Sequence, residues 1–314
     1  MSEPHLAFVF PGQGSQSKGM LAEMAQEHLE VLKTFEQASA VLGYDLWALS
    51  QTDESGQIDM TEVTQPLLLT ASVALWRVWQ FLGGPQPQVL AGHSLGEWSA
   101  LVCAGVVKFE DAIELVRARG QFMQEAVPAG VGSMAAIIGL DDETTRQCCE
   151  QAALGEVVVP VNYNAPGQVV IAGHKSAIDR AVDACKAAGA KRAMPLAVSA
   201  PFHSDLMQPA AEKLAPLIEK TDFHSPELSI VHNVNAKTEA DPEAIKQLMI
   251  QQIYQPVLWV DCVRALAGLG VNAAVECGSG KVLNGLMKRI DKSIKSYSTD
   301  AIAAINSAVD ELNA

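Results

Sequence analysis

With 36 acidic and 22 basic side chains, this 314-residue chain carries a formal charge of −14, which argues against a polyanion bound over a broad surface. Aromatic residues at 5% offer no stacking platform for nucleic-acid bases, and no run approaches the ~18 uninterrupted apolar residues of a membrane span. The length accommodates two domains, or one large domain carrying an insertion.

The amino-terminal Met1-Ser2-Glu3-Pro4-His5 has no basic region, and the apolar Leu6–Phe10 that follows is too short for a signal sequence. The expectation is a soluble cytoplasmic protein with neither nucleic-acid nor membrane partners. The six cysteines (103, 148, 149, 185, 262 and 277) form no CxxC and no metal-ligand spacing; they are expected to be small core residues, with no metal site and no cofactor.

The first predicted element is a strand over His5–Phe10, running into Pro11-Gly12-Gln13-Gly14-Ser15. The turn fails the GxGxxG template, which needs glycine at 17, and the P-loop template, which needs lysine after Gly19. It still places backbone N–H groups, Gln13 among them, at the carboxyl edge of a sheet, where open α/β sheets bind ligands. On its own an ordinary strand-to-helix turn is the favoured reading. Met20–Leu42 has helical spacing and stops at Gly43. Thr64–Leu82 is predicted as a buried helix with Thr64 as cap and Pro66 in its first turn.

Val89–Ala91 ends a predicted buried strand, followed by Gly92-His93-Ser94-Leu95-Gly96 and a helix-forming run. Strand, Gly-x-Ser-x-Gly turn and helix is the arrangement that projects a nucleophilic serine from a strained corner. Glycines at 92 and 96 let strand and helix approach closely, and the helix directs unpaired N–H groups at the place where an oxyanion forms. Phe109–Val127 is a further helix, with Arg117 and Arg119 off its apolar stripe.

From Pro128 the pattern changes. Strands over Ser133–Leu140, Val157–Asn162, Gln168–Ala172 and Arg192–Val198, with helices over Asp141–Ala153 and Ser176–Ala188, give the β-α-β-β-α-β order of a ferredoxin-like unit. Alternation then resumes with Leu228–His232, Pro242–Ile253, Val260–Leu269, Asn272–Cys277 and Lys281–Ile290. The fold class expected is α/β: a large α/β-hydrolase-like domain with a parallel sheet, residues 1–127 and 199–314, interrupted by a small ferredoxin-like α+β domain, residues 128–198. Gly278-Ser279-Gly280-Lys281 is a P-loop fragment lacking the first glycine and the final Ser/Thr, occupied by Val275 and Val282.

A serine hydroxyl needs a base, usually histidine. His5 and His28 lie near the amino terminus, His93 adjoins Ser94 and is expected to face away from it, His174 lies in the insert, and His224 and His232 flank a strand. His203, in Ser199-Ala200-Pro201-Phe202-His203-Ser204, stands where the chain leaves the insert. A cleft between domains is a common place for a site, so the pattern points to His203 without excluding the others.

Five ordered stretches (Phe10–Gln16, Gly92–Glu97, Arg119-Gly120, Phe202–Ser204 and Glu276–Lys281) resemble those of the malonyl-CoA:acyl carrier protein transacylases, from about Leu6 to Ile290. The resemblance implies Ser94 as acyl-carrying nucleophile, His203 as its base, and the backbone N–H groups of Gln13 and Leu95 as the oxyanion hole. It also implies Arg119, rather than Arg117, as receiver of the malonyl carboxylate, and the backbone carbonyl of Gln252 as the group that orients the histidine. Trp98 stands where many members have Tyr or Phe, and Phe202 resembles the malonyl-preferring pattern. The implied partners are malonyl-CoA and holo-acyl carrier protein, with Lys281, Lys288, Arg289, Lys292, Lys295, Lys191 and Arg192 as candidate docking residues; a monomer is expected. The rival reading is a serine thioesterase or esterase. Its order of Ser, acid, His puts the histidine late in the chain, whereas about a third of this chain follows His203 and the intervening Asp141, Asp142, Asp179 and Asp183 fall in the insert's helices.

Overall fold

The computed structural model describes residues 5–54, 56–198 and 200–314; the reading of Met1–Pro4 and the segment boundary at Ser199 lie outside the described residues. Leu6–Phe10 forms β1, five residues that are all buried. A strand without polar alternation has both faces covered, and β1 lies at the centre of a five-stranded parallel sheet. The order is β7 (Ser229–Val231), β2 (Val89–Gly92), β1, β8 (Ala273–Glu276), β9 (Lys295–Ser298). Alternate residues feed two cores, as a period of two requires. Leu6, Phe8 and Phe10 join the larger core with α2 (Leu29–Leu42), α4 (Thr61–Phe81), α5 (Leu95–Cys103) and α6 (Phe109–Glu125); Ala7 and Val9 join the smaller one with α11 (Trp259–Gly268) and α12 (Val282–Ile290).

Residues 128–198 contain a four-stranded antiparallel sheet in the order β4 (Val158–Ala165), β5 (Gln168–His174), β3 (Gly132–Ile138), β6 (Arg192–Pro195). The helices α7 (Asp142–Ala153) and α8 (Lys175–Ala187) pack with it around an apolar core of its own, which includes Ala135, Ile171 and Ile178. The fold is therefore the α/β arrangement expected, with a ferredoxin-like unit beside a parallel sheet. The antiparallel sheet is tied to the segment just before α11 by backbone pairing: Tyr163 N–H donates to Val257 O (3.0 Å) and Val257 N–H to Val161 O (2.8 Å).

Several elements depart from the sequence reading. The helix over Met20–Leu42 is broken at His28, whose extended backbone (φ −126°, ψ 107°) separates α1 (Ala22–Glu27) from α2. Helix α4 begins at Thr61, so Pro66 lies inside it, and the Thr64 hydroxyl bonds the Met60 carbonyl instead of capping the helix. Helix α3 (Leu46–Thr52), capped by the Asp45 side chain, α9 (Gln208–Lys220), β9 and α13 (Ile302–Asn313) were absent from the expectation. In α9, Pro209 sits in the first turn, where no N–H is missed, and Pro216 lies inside the helix. Among the described residues no helix is long and apolar enough to cross a membrane.

The fold positions the turn between β2 and α5 by close backbone approach. A Cβ on Gly92 would lie 2.0 Å from Gly96 O, one on Gly96 2.0 Å from Phe10 O, and one on Gly12 2.5 Å from His93 O. Strands β1 and β2 and helix α5 thus meet at van der Waals distance with no room for a methyl group. The P-loop fragment has structural contacts instead: Gly278 N–H donates to Thr299 Oγ1 (3.2 Å) and Ser279 Oγ to Ser15 O (2.6 Å). We expect Gly96→Ala to lose about 3 kcal/mol or more of stability, beyond ordinary overpacking because backbone must move, as read from urea unfolding; a loss under about 1 kcal/mol would show that the turn is not packed this tightly.

Candidate active site

Ser94 sits between β2 and α5 with φ 52° and ψ −109°, a conformation that costs a non-glycine residue on the order of 1–3 kcal/mol. Two side chains from distant segments hold it there. Asn233 accepts the Ser94 N–H (2.8 Å) and donates to Gly92 O (2.6 Å), while the Gln252 amide donates to Ser94 O (2.9 Å). The hydroxyl is thereby aimed at His203: Ser94 Oγ and His203 Nε2 lie 2.7 Å apart.

His203 also has a positive φ of 63° and is buried. Its Nδ1 lies 2.8 Å from the main-chain carbonyl of Gln252. A carbonyl can only accept, so Nδ1 carries the hydrogen and Nε2 presents its lone pair to the serine hydroxyl. Burial, and then the charge of Arg119, lower the His203 pKa to about 3, against which the Gln252 carbonyl raises it. The imidazole is therefore neutral in the resting site.

Arg119 projects from α6 and is only 2% exposed. Its Nη1 donates to Gln65 Oε1 (2.8 Å), and its Nη2 to Gln252 Oε1 (3.0 Å) and Ser94 Oγ (3.2 Å). Burial lowers its pKa to about 10, with Glu97 opposing that shift, so the guanidinium stays charged near neutrality. No carboxylate touches it among the described residues; Glu97 acts from the far side of the Gln252 amide. Arg117, by contrast, donates to Leu42 O (3.3 Å) on another side of α6.

The backbone N–H groups of Gln13 and Leu95 have no partner among the described residues. Both residues line one cavity together with Ser94, Arg119, His203 and Phe202. Leu95 opens α5, so its N–H lies at the positive end of that helix, and Gln13 follows the glycine pressed against His93. Of the sequence candidates, Ser94, His203, Arg119, Gln252, Gln13 and Leu95 all converge on this place.

The other histidines serve elsewhere. His93 lines the cavity, but its ring is engaged elsewhere: Nε2 bonds Asn164 Oδ1 (2.7 Å) and the ring packs on Trp259. His174 Nδ1 accepts the Val157 N–H, His28 packs against Phe81, and His232 pairs with Glu97 (2.7 Å). Gln65 and Asn233 escaped the sequence reading, and Glu97 and His232, though they lie in stretches it noted, were given no part in the site, because side chains gathered from three separate segments leave no motif of their own. Among the described residues no group of three or more potential ligands is placed to hold a metal ion, and five of the six cysteines are buried.

Residues 7–304 match the family model of the acyl transferase domain. The malonyl CoA-acyl carrier protein transacylase of Salmonella typhimurium is 57% identical over 305 residues, covering 97% of this chain and 99% of that protein. The structure of the transacylase from Coxiella burnetii superimposes with a TM-score of 0.98 at 48% identity, covering 99% of both chains. A malonyl-transacylase solved in complex with its type II polyketide acyl-carrier protein gives 0.97 at 52% identity, over 99% of this chain and 100% of that one. With more than half its residues shared with the Salmonella protein along nearly the whole of both, this chain belongs to the malonyl CoA-acyl carrier protein transacylase family.

Proposed function

We propose that this chain transfers the malonyl group from malonyl-CoA to the phosphopantetheine thiol of acyl carrier protein, in two displacements through a malonyl ester on Ser94. The observation that carries this reading is the convergence on one hydroxyl: His203 Nε2 at 2.7 Å and the buried Arg119 guanidinium at 3.2 Å from Ser94 Oγ. A base at that distance activates the oxygen, and a guanidinium without a carboxylate partner waits for one.

Ser94 Oγ attacks the thioester carbonyl as its proton passes to His203 Nε2. The developing oxyanion sits between the N–H groups of Gln13 and Leu95, each such donor contributing roughly 10²–10³ in rate. The C–S bond breaks, His203 returns its proton to the departing sulfur, and malonyl-Ser94 remains. The carrier-protein thiol then gives its proton to His203, attacks the ester, and Ser94 leaves with that proton. Throughout, the malonyl carboxylate lies on Arg119 in charge-assisted hydrogen bonds. Acetyl groups would leave the buried charge unpaired, which is the basis of selection. The same cation disfavours a thioesterase or esterase for acyl groups that carry no second carboxylate.

Acyl carrier protein as the partner is supported by the similar transacylase solved with its carrier. Every group invoked for the reaction belongs to this chain, so the proposed mechanism needs no second copy. The separate apolar core of the insert supports a domain at residues 128–198 within a discontinuous catalytic domain, 1–127 and 199–314.

Exposure to malonyl-CoA without carrier protein is expected to add one malonyl group to the intact mass, at Ser94, with further turnover of coenzyme A requiring the carrier; sustained release without an acceptor would favour the thioesterase. Arg119→Ala should lower kcat/KM for malonyl-CoA by about a hundredfold or more while sparing acetyl-CoA, and an equal loss on both would remove the arginine from selection.

The histidine supplies a pH test. With its pKa lowered to about 3, the free enzyme keeps a neutral base well below the usual imidazole range, and kcat/KM reports the free enzyme. Acylation by malonyl-pantetheine, which lacks phosphates, is expected to stay level from pH 7.5 to 5; a fall centred near 6.5 would contradict the neutral imidazole. For stability the sign is the same: the unfolded histidine takes up a proton below its ordinary pKa and the native one does not, so this group's contribution is lost as pH falls from there towards 3.

A further inference from the structure

We infer that Glu97 is a positioning residue for malonyl recognition, fixing the Gln252 side-chain amide so that its oxygen faces Arg119. The inference rests on Arg119 as the receiver of the malonyl carboxylate.

Glu97 lies in the first turn of α5, three residues past Ser94, and is 1% exposed. Its carboxylate is held by His232 Nδ1 (2.7 Å), the Asn233 N–H (3.2 Å) and Gln252 Nε2 (2.7 Å). A carboxylate at a helix amino terminus is well placed electrostatically, but it lies outside the cavity and takes no part in the chemistry described above.

Its leverage comes from what an amide can do. A side-chain amide can be turned over with little change of shape, exchanging a donor for an acceptor. At Gln252, Nε2 faces Glu97 Oε2 and Ser94 O together, and both of these only accept. Turning the amide over would set oxygen against oxygen twice in a buried place, and leave N–H groups against the N–H groups of Arg119. The carboxylate therefore selects one state, in which Gln252 Oε1 accepts from Arg119 Nη2 (3.0 Å). Together with Gln65 on Nη1, this anchors the guanidinium at two nitrogens. Nε remains buried and without a partner, and the cavity face of the fork is left for the substrate's carboxylate. Glu97 also opposes the loss of charge that burial imposes on Arg119.

Glu97→Gln keeps the shape and weakens the compulsion: the oxygen that faces Gln252 Nε2 also takes the Asn233 N–H, so an amide keeps its oxygen towards both but loses the negative charge that strengthens the bond and balances Arg119. The expected result is a raised KM and a kcat/KM for malonyl-CoA lower by on the order of tenfold, with acetyl-CoA changed by less than about twofold. In an Arg119→Ala background the Glu97 substitution should have no further effect on malonyl transfer, because the link it acts through is gone. An equal loss on malonyl and acetyl donors, or an undiminished effect in that background, would overturn the inference and leave Glu97 as a brace of the serine turn. Arg119→Ala alone separates the two readings: if it spares acetyl transfer while Glu97→Gln does not, only the Glu97 inference fails. If Glu97→Gln does not fold, Gln252→Met keeps the main-chain carbonyl for His203 and removes the amide. The malonyl-to-acetyl ratio should then fall, and an unchanged ratio would reject the link.

Discussion

The structure depends on one close approach. Strands β1 and β2 and helix α5 meet at glycines 12, 92 and 96, where added methyl groups would fall 2.0–2.5 Å from main-chain atoms. That contact fixes the left-handed Ser94 and brings the Gln13 turn beside the amino terminus of α5. The strain at Ser94 is sustained because Asn233 and Gln252, carried in by segments more than a hundred residues downstream, grip the peptide groups on both sides. Remove the approach and the hydroxyl, its base and the oxyanion donors no longer share a cavity.

Charge in this site is arranged by separation. Arg119 is buried with amide oxygens as its nearest partners, and the acid that balances it stands behind Gln252. A guanidinium paired directly to a protein carboxylate would have its fork occupied, and the substrate would have to displace an internal ion pair. Placing an amide between the two leaves the positive charge unclaimed while moderating the cost of burying it. The same cation, with burial, keeps His203 neutral, so in the proposed reaction the group that recognises the acyl chain also sets the state of the base.

Much of this was legible from the chain. The glycine spacing around Ser94 announced the elbow, and the position of His203 after the insert pointed to it among seven histidines without excluding the others, a choice that the likeness to known transacylases then made. Arg119 is different: from helical spacing it stood equal to Arg117, and only the likeness to known transacylases separated them. The buried side-chain amides had no signal: Gln65 and Asn233 went unnoticed, and Gln252 was implied only for its main-chain carbonyl, because these amides meet through tertiary contacts alone. The fold was read well where apolar period was strong and poorly where it was not. Lys295–Ser298 pairs as an edge strand despite its polar make-up, and the two prolines of α9 masked a helix whose buried face includes Ala211, Leu214 and Ile218.

The partner of His203 Nδ1 is a main-chain carbonyl, and that choice shapes the direction of flow. An aspartate there would lend a full negative charge to the imidazolium and let the enzyme store a proton between half-reactions. A peptide oxygen offers only part of a dipole, beside an arginine that repels the stored charge. In the proposed reaction the protonated imidazole is therefore disfavoured whichever thiol is present. Such a centre behaves as an exchanger that lets acyl groups equilibrate between two carriers, leaving any net drain to whatever reaction consumes the product.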